Sequence, residues 1–399
     1  MPSAPSRGRS ARRLLPVAGA ALAGIAVVAA VAVPLSANAT VDLPDLTPEE
    51  LLTLAHSSDV DALSGTIEQT SELGLPDLGG ILGEEDRSGD GSGGAGPADA
   101  LDLLVGSHTA HVYLDGDRAR LQVLDRLAER NVYIDGAAGA GWFVDSETGT
   151  ATRFAVTGDR EALRDALEEA KAQRDAATGA DAALPTPEQV LEQALDRLDD
   201  STRVSVGTDG RVAGRDAYEL ILEPRTDDTL VGRLVFAIDG ETGMALSASV
   251  TGRGDDQPAF RVGFTDISFQ APDASTLAFA PAEGYSVVEK DLPLPTGDQL
   301  DQWAQDHAAT APMSEEDRPV VHGEGWSAVV ELPADGSRAT GPATGDASAD
   351  DLLQRMTRQV DGGRVLETAL VSVLFADDGR VLAGAVPAQR LVDVAAGDG

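Results

Sequence analysis

Cysteine is absent from the 399 residues, so this chain has neither a disulfide framework nor a lipobox cysteine to carry a lipid anchor. Aromatic residues make up only 4%. A core must therefore be built from Val, Leu, Ile and Ala, and small inward-facing side chains of that kind can leave a hollow. Basic residues are few: 30 Lys and Arg stand against 67 Asp and Glu, a formal net charge of -37. Nucleic acid and anionic lipid surfaces are poor partners for such a chain. A solubilised secreted surface or a high-salt adaptation accounts for the acid most simply, with a specific basic partner as the sharper alternative.

The residue sets that carry catalysis are equally thin. No G-x-S-x-G elbow occurs, and the five His are scattered without a recognisable partner. Carboxylate pairs are everywhere in so acidic a chain, which makes them uninformative about glycoside chemistry. His108-Thr109-Ala110-His111 imitates a metal pair, but residues three apart on a strand point to opposite faces. Asp86, Ser88 and Asp90-Gly91 imitate the start of a calcium loop, yet Pro97 stands where a bidentate Glu belongs. Gly91 to Gly96 satisfies G-x-G-x-x-G, but acids precede it and no βαβ unit surrounds it, so it reads as a linker. The expectation is a protein that is not an enzyme and uses no metal and no cofactor.

What is present at the N-terminus is an export signal. Arg7, Arg9, Arg12 and Arg13 precede an apolar run from Leu14 to Leu35, followed by Ala37-Asn38-Ala39. Cleavage there would start the mature chain at Thr40; the run is also long enough to stay as a membrane anchor. Either way the remainder faces outward, secreted or held at the outer face of the cytoplasmic membrane.

Thr47-Pro48-Glu49-Glu50 opens a helix, and Pro185-Thr186-Pro187-Glu188 repeats the opening before the apolar stripe Val190, Leu191, Ala194, Leu195 and Leu198. Glu161 to Lys171 carries another stripe, with Leu163 and Leu167. Strands are expected at Leu63 to Thr70, His108 to Leu114, Arg118 to Leu124, Asn131 to Asp135, Gly141 to Asp145 and Ala151 to Val156. Tyr218 to Pro224, Val231 to Asp239 and Met244 to Val250 follow as a meander turned by Gly240-Glu241-Thr242-Gly243, with Ala259 to Phe269 and Leu277 to Phe279 beyond it. Leu292 to Pro319 reads as a connector. The tail reads as strand Gly325 to Leu332, helix Asp350 to Val360, a hairpin of Val365 to Phe375 with Arg380 to Val386 over Asp377-Asp378-Gly379, and a last helix from Pro387.

The order of these motifs from Thr47 to Val288, with Phe264-Thr265-Asp266-Ile267-Ser268-Phe269 and Phe279-Ala280-Pro281 near the end, resembles the LolA-like lipoprotein carriers and the related RseB (MucB)-like periplasmic regulators. The resemblance implies an α+β fold: a curled antiparallel half-barrel sheet covered by helices over residues 40–290, a linker over 291–319 and a small α+β domain over 320–399. It also implies an apolar hollow that takes lipid or lipoprotein acyl chains, or else a sensor that binds another envelope protein. The meander face Tyr218, Leu220 and Leu222, with Val235 on the next strand, is the expected lining, together with Leu121 and Val123. Leu163, Leu167, Leu191 and Leu195 are candidate lid residues, with ordinary core packing as the alternative. Leu75 and Leu78 belong to a Gly- and Pro-broken flap over Leu73 to Leu82.

Overall fold

The computed structural model describes residues 41, 43–74, 106–124, 129–157, 186–196, 198–293, 319–333 and 356–397. The export segment, most of the flap with Leu75 and Leu78, the stripe of Leu163 and Leu167, and most of the connector lie outside the described residues.

Both helix openings act as the sequence suggests. In α1 (Pro48–His56) the Thr47 hydroxyl accepts from the Glu50 amide at 3.2 Å while the Glu50 carboxylate accepts from the Thr47 amide at 2.9 Å. Thr186 and Gln189 exchange the same pair of bonds, at 3.2 and 2.9 Å, before α2 (Pro187–Asp196). Each helix start is thereby satisfied by its own side chains, with Pro at a position that needs no donor.

Thirteen strands form one sheet. Its first half runs β1 (Ala62–Ser71), β2 (Gly106–Asp115), β3 (Arg118–Leu124), β4 (Glu129–Asp135), β5 (Ala140–Asp145) and β6 (Thr150–Thr157) as successive antiparallel neighbours. The second half contains β7 (Thr202–Val206), β8 (Gly210–Val212), β9 (Arg215–Pro224), β10 (Val231–Asp239), β11 (Ala245–Gly252) and β12 (Pro258–Ser268). β1 pairs with β12 and joins the halves. At that seam Gly65 admits the Phe264 ring; a Cβ there would stand 2.8 Å from it. The last strand, β13 (Ser286–Pro293), adds in parallel to β6. β13 runs past the boundary expected at residue 290, and the segment Leu277 to Phe279 is not a strand. Phe279 instead lies against Tyr133 and Trp142, at 5.1 and 5.3 Å between centroids, on the other side of the sheet.

A second sheet holds β14 (Val320–His322), β15 (Val329–Leu332), β16 (Arg358–Val360), β17 (Gly363–Glu367), β18 (Ser372–Ala376) and β19 (Val381–Gly384), with α3 (Ala388–Ala396) packed on it. The strand expected from Gly325 starts only at Val329, after a 3-10 turn, and the helix expected to reach Val360 cannot, because Arg358–Val360 is a strand. Antiparallel sheets with three helices make the described chain α+β.

One ion pair fixes the corner of the meander. Asp239, fully buried, accepts from Arg215 Nε at 2.7 Å and Nη2 at 2.9 Å, and from the Thr242 amide and hydroxyl at 2.8 and 2.9 Å. Burial opposes its charge, but the bonds from Arg215 and Thr242 outweigh that and hold the carboxyl below its ordinary value. Its stabilisation is therefore present above the ordinary Asp value, about 3.9, and fades as pH falls through the depressed one. Removing one partner of a buried pair costs about 3–5 kcal/mol. Arg215 keeps Glu241 at 2.6 Å and some solvent, so the low end applies. We expect Asp239→Asn to lose about 3 kcal/mol in urea unfolding at neutral pH, with the gap to the unmodified protein narrowing below about pH 4. An unchanged midpoint would remove this pair from the fold's supports.

Candidate functional site

Cross-strand pairs show which side chains share a face. Leu222 lies opposite Leu234, Leu220 opposite Phe236, and Tyr218 opposite Ile238; Leu234 and Phe236 in turn face Val250 and Ala248. These residues form one apolar surface, and α1 and α2 lie over it. The Tyr218 hydroxyl donates to the Pro44 carbonyl at 3.0 Å, and the Ala245 amide donates to Glu188 Oε2 at 2.7 Å. Burial raises the Glu188 pKa, the amide bond partly offsets that, and Glu192 adds to the rise.

The second sheet closes the surface from another side. The turn between β17 and β18 puts Leu370 and Val371 into the main core, and the Ala369 amide donates to the Leu73 carbonyl at 3.0 Å. The Ala385 carbonyl accepts from the Leu230 amide at 2.8 Å and the Thr229 hydroxyl at 2.6 Å. The 3-10 turn Gly325–Ser327 presents Trp326, whose Nε1 donates to Thr202 Oγ1 at 2.8 Å.

Between these elements lies a cleft of about 510 Å³. Val190, Ala194 and Leu198 supply one wall, Leu222, Val231, Leu234 and Val250 the floor, and Trp326, Val330, Leu370, Val371 and Ala385 the opposite wall. Gln193, Asp199, Ser201 and Thr202 are its polar side chains. That size and makeup fit a small-molecule site, about 300–1,000 Å³ and mainly apolar with a few placed polar groups.

Of the residues expected to line a hollow, Leu222 reaches this cleft. Tyr218 and Leu220 are packed into the filled core, at 4% and 0% exposure. Val235 is corrected: it lies opposite Ile221, so it belongs to the other face of the sheet, and Leu234 and Phe236 take the place assigned to it. Leu191 and Leu195 face a smaller hollow of about 250 Å³ shared with Ala55, His56 and Glu188. Leu121 and Val123 pack with Ala110, on the face continuous with Ile67 but away from the cleft. His111 lies opposite Thr66 and bonds its hydroxyl at 3.0 Å, whereas His108 lies opposite Gln69 on the reverse face. Among the described residues no group of three or more His, Asp or Glu could hold a metal ion.

No family model matches the chain, and no curated protein matches it. Among solved structures it is similar to the MucA/MucB complex of Pseudomonas aeruginosa, with a TM-score of 0.38 and 17% identity over 87% of this chain and 96% of that one. It is also similar to a LolA superfamily protein of Nitrosomonas europaea, with a TM-score of 0.21 and 8% identity over 59% and 99%. Scores this low leave the function to be argued from the cleft.

Because Leu370 belongs to the second sheet's turn yet is 1% exposed in the main core, Leu370→Ala should lower the stability of both sheets together. The expected loss is about 2–5 kcal/mol, read as a shift of one calorimetric transition. Two separate transitions, with only the smaller one shifted, would show that the sheets do not share a core.

Proposed function

We propose that this is an extracytoplasmic, non-catalytic binding protein that holds a hydrophobic ligand, the acyl part of a lipid or lipoprotein, in the cleft between α2, the long sheet and the second sheet. The observation that carries the reading is the cleft itself: about 510 Å³ with walls that are predominantly Leu, Val, Ala and Trp. Each methylene moved there from water contributes about 0.8 kcal/mol, so a chain of moderate length binds without specific polar contacts. The order of basic, apolar and small residues before Thr40 supports an outward location. The resemblance to lipoprotein carriers supports the same ligand class. The alternative, capture of another envelope protein, draws on β14, an edge strand whose Val320 and Val321 are 45% and 62% exposed and whose backbone could extend a partner's strand.

Organic extraction of protein purified from its native envelope, followed by mass spectrometry, should yield lipid. Ala194→Phe fills the cleft from a half-buried helix position and should reduce binding of the neutral dye Nile red by about tenfold or more, a change of about 1.4 kcal/mol, with the melting temperature little altered. Full dye binding by that variant, or none by the unmodified protein, would leave the partner-binding alternative ahead.

A further inference from the structure

The cleft has one ionisable lining residue among those described, and its neighbour is an aromatic ring. Asp199 Oδ1 accepts from the Ser201 amide at 2.8 Å and from the Ser201 hydroxyl. Among the described residues Oδ2 has no donor, and it turns toward Gly325: a Cβ on that glycine would stand 3.4 Å from it and 2.5 Å from the Ser201 hydroxyl. Gly325 has φ +55°, a left-handed conformation, and it is followed directly by Trp326. The indole cannot swing freely, because its Nε1–H is held by Thr202 Oγ1. Asp199, an exposed residue, and the held indole of Trp326 thus both line the cleft, tied to the adjacent residues Ser201 and Thr202. No Lys or Arg is among the described lining residues.

We infer that the ligand of this cleft carries a cationic head, an alkylated ammonium, with its apolar chain between α2 and the second sheet. The inference rests on the binding reading above and narrows its ligand class. An ammonium gains from the face of a Trp ring and from a nearby carboxylate, and methylation keeps the charge while lowering the cost of leaving water. A carboxylate-headed chain of the same length meets the opposite situation. Its head would approach Asp199 with no guanidinium or ammonium among the described lining residues to receive it, in a protein of net charge -37.

The test is calorimetric titration of the full exported chain with decyltrimethylammonium and with decanoate. Both are kept below micelle-forming concentrations, in enough salt to screen diffuse charge. The ammonium should bind one to one and at least about tenfold more tightly than the carboxylate. Asp199→Asn should remove several-fold of that preference, and Trp326→Leu should remove more. Equal or tighter binding of decanoate overturns the inference and leaves the apolar cleft standing. A preference that survives Asp199→Asn unchanged also overturns it, since attraction to the acidic surface as a whole would then account for the selectivity. Binding of neither compound, together with no uptake of Nile red, overturns the binding reading as well.

Discussion

The long sheet has an apolar face far wider than the described helices cover, and the second sheet answers part of that imbalance. Twelve strands lie side by side, which at about 4.8 Å per strand spans on the order of 50 Å. α1 and α2, nine and ten residues long, each extend only about 15 Å. Over the meander the shortfall is met by the second sheet, which contributes Leu370, Val371 and Trp326 to the same surface. Where α2, the long sheet and the second sheet meet, side chains that are mostly Val, Leu and Ala leave the cleft open between them. Farther along the same face, past β3, Ile134 and Phe143 are 50% and 36% exposed. The cleft is thus a product of how covering elements meet, rather than of a closed barrel interior.

Two carboxylates, Asp239 fully buried and Glu188 half-buried, show how partner chemistry decides the sign of a burial cost. Asp239 sits under Arg215, whose guanidinium also lies 4.9 Å from the Phe269 ring centroid, and its charge is favoured by the fold. Glu188 has a single backbone amide in place of a cation and a second acid, Glu192, nearby, so its charge is disfavoured. A carboxyl with a raised folded-state value gives its full stability at low pH and loses it as pH rises through that value. The two groups therefore pull in opposite directions on acidification. On acidification the corner of the meander loses the contribution of Asp239, while the seat of α2 on β11 does not lose that of Glu188.

Local features were legible in the sequence because their causes are local. The Thr-Pro-Glu openings and the strands expected between Leu63 and Val156 matched the elements that form. The parallel strand β13 was not legible, since Ser-Val-Val-Glu-Lys-Asp has no sustained alternation and its pairing with β6 joins residues far apart in the chain. β7 escaped for a similar reason, being a five-residue edge with an exposed Arg203. The face of Val235 was misjudged because β10 is apolar at both parities, from Leu234 through Ile238. Only the register set across the loop from β9 tells the two faces apart.

The cleft lay beyond local pattern altogether. Its walls come from residues near 190, 222, 250, 326 and 370, which tens of residues separate along the chain. One signal was nevertheless available. In a chain with three Trp among 399 residues, Trp326 stands in a Glu-Gly-Trp-Ser turn ahead of the apolar run Ala328-Val329-Val330 and not within it. A large ring placed in a polar, glycine-flanked turn must find its partners elsewhere in the fold. Here they are Thr202, which takes its N–H, and the main core and cleft wall against which the ring lies. An isolated aromatic in a turn of an otherwise aromatic-poor chain thus points to a junction between distant elements, and junctions are where binding clefts arise.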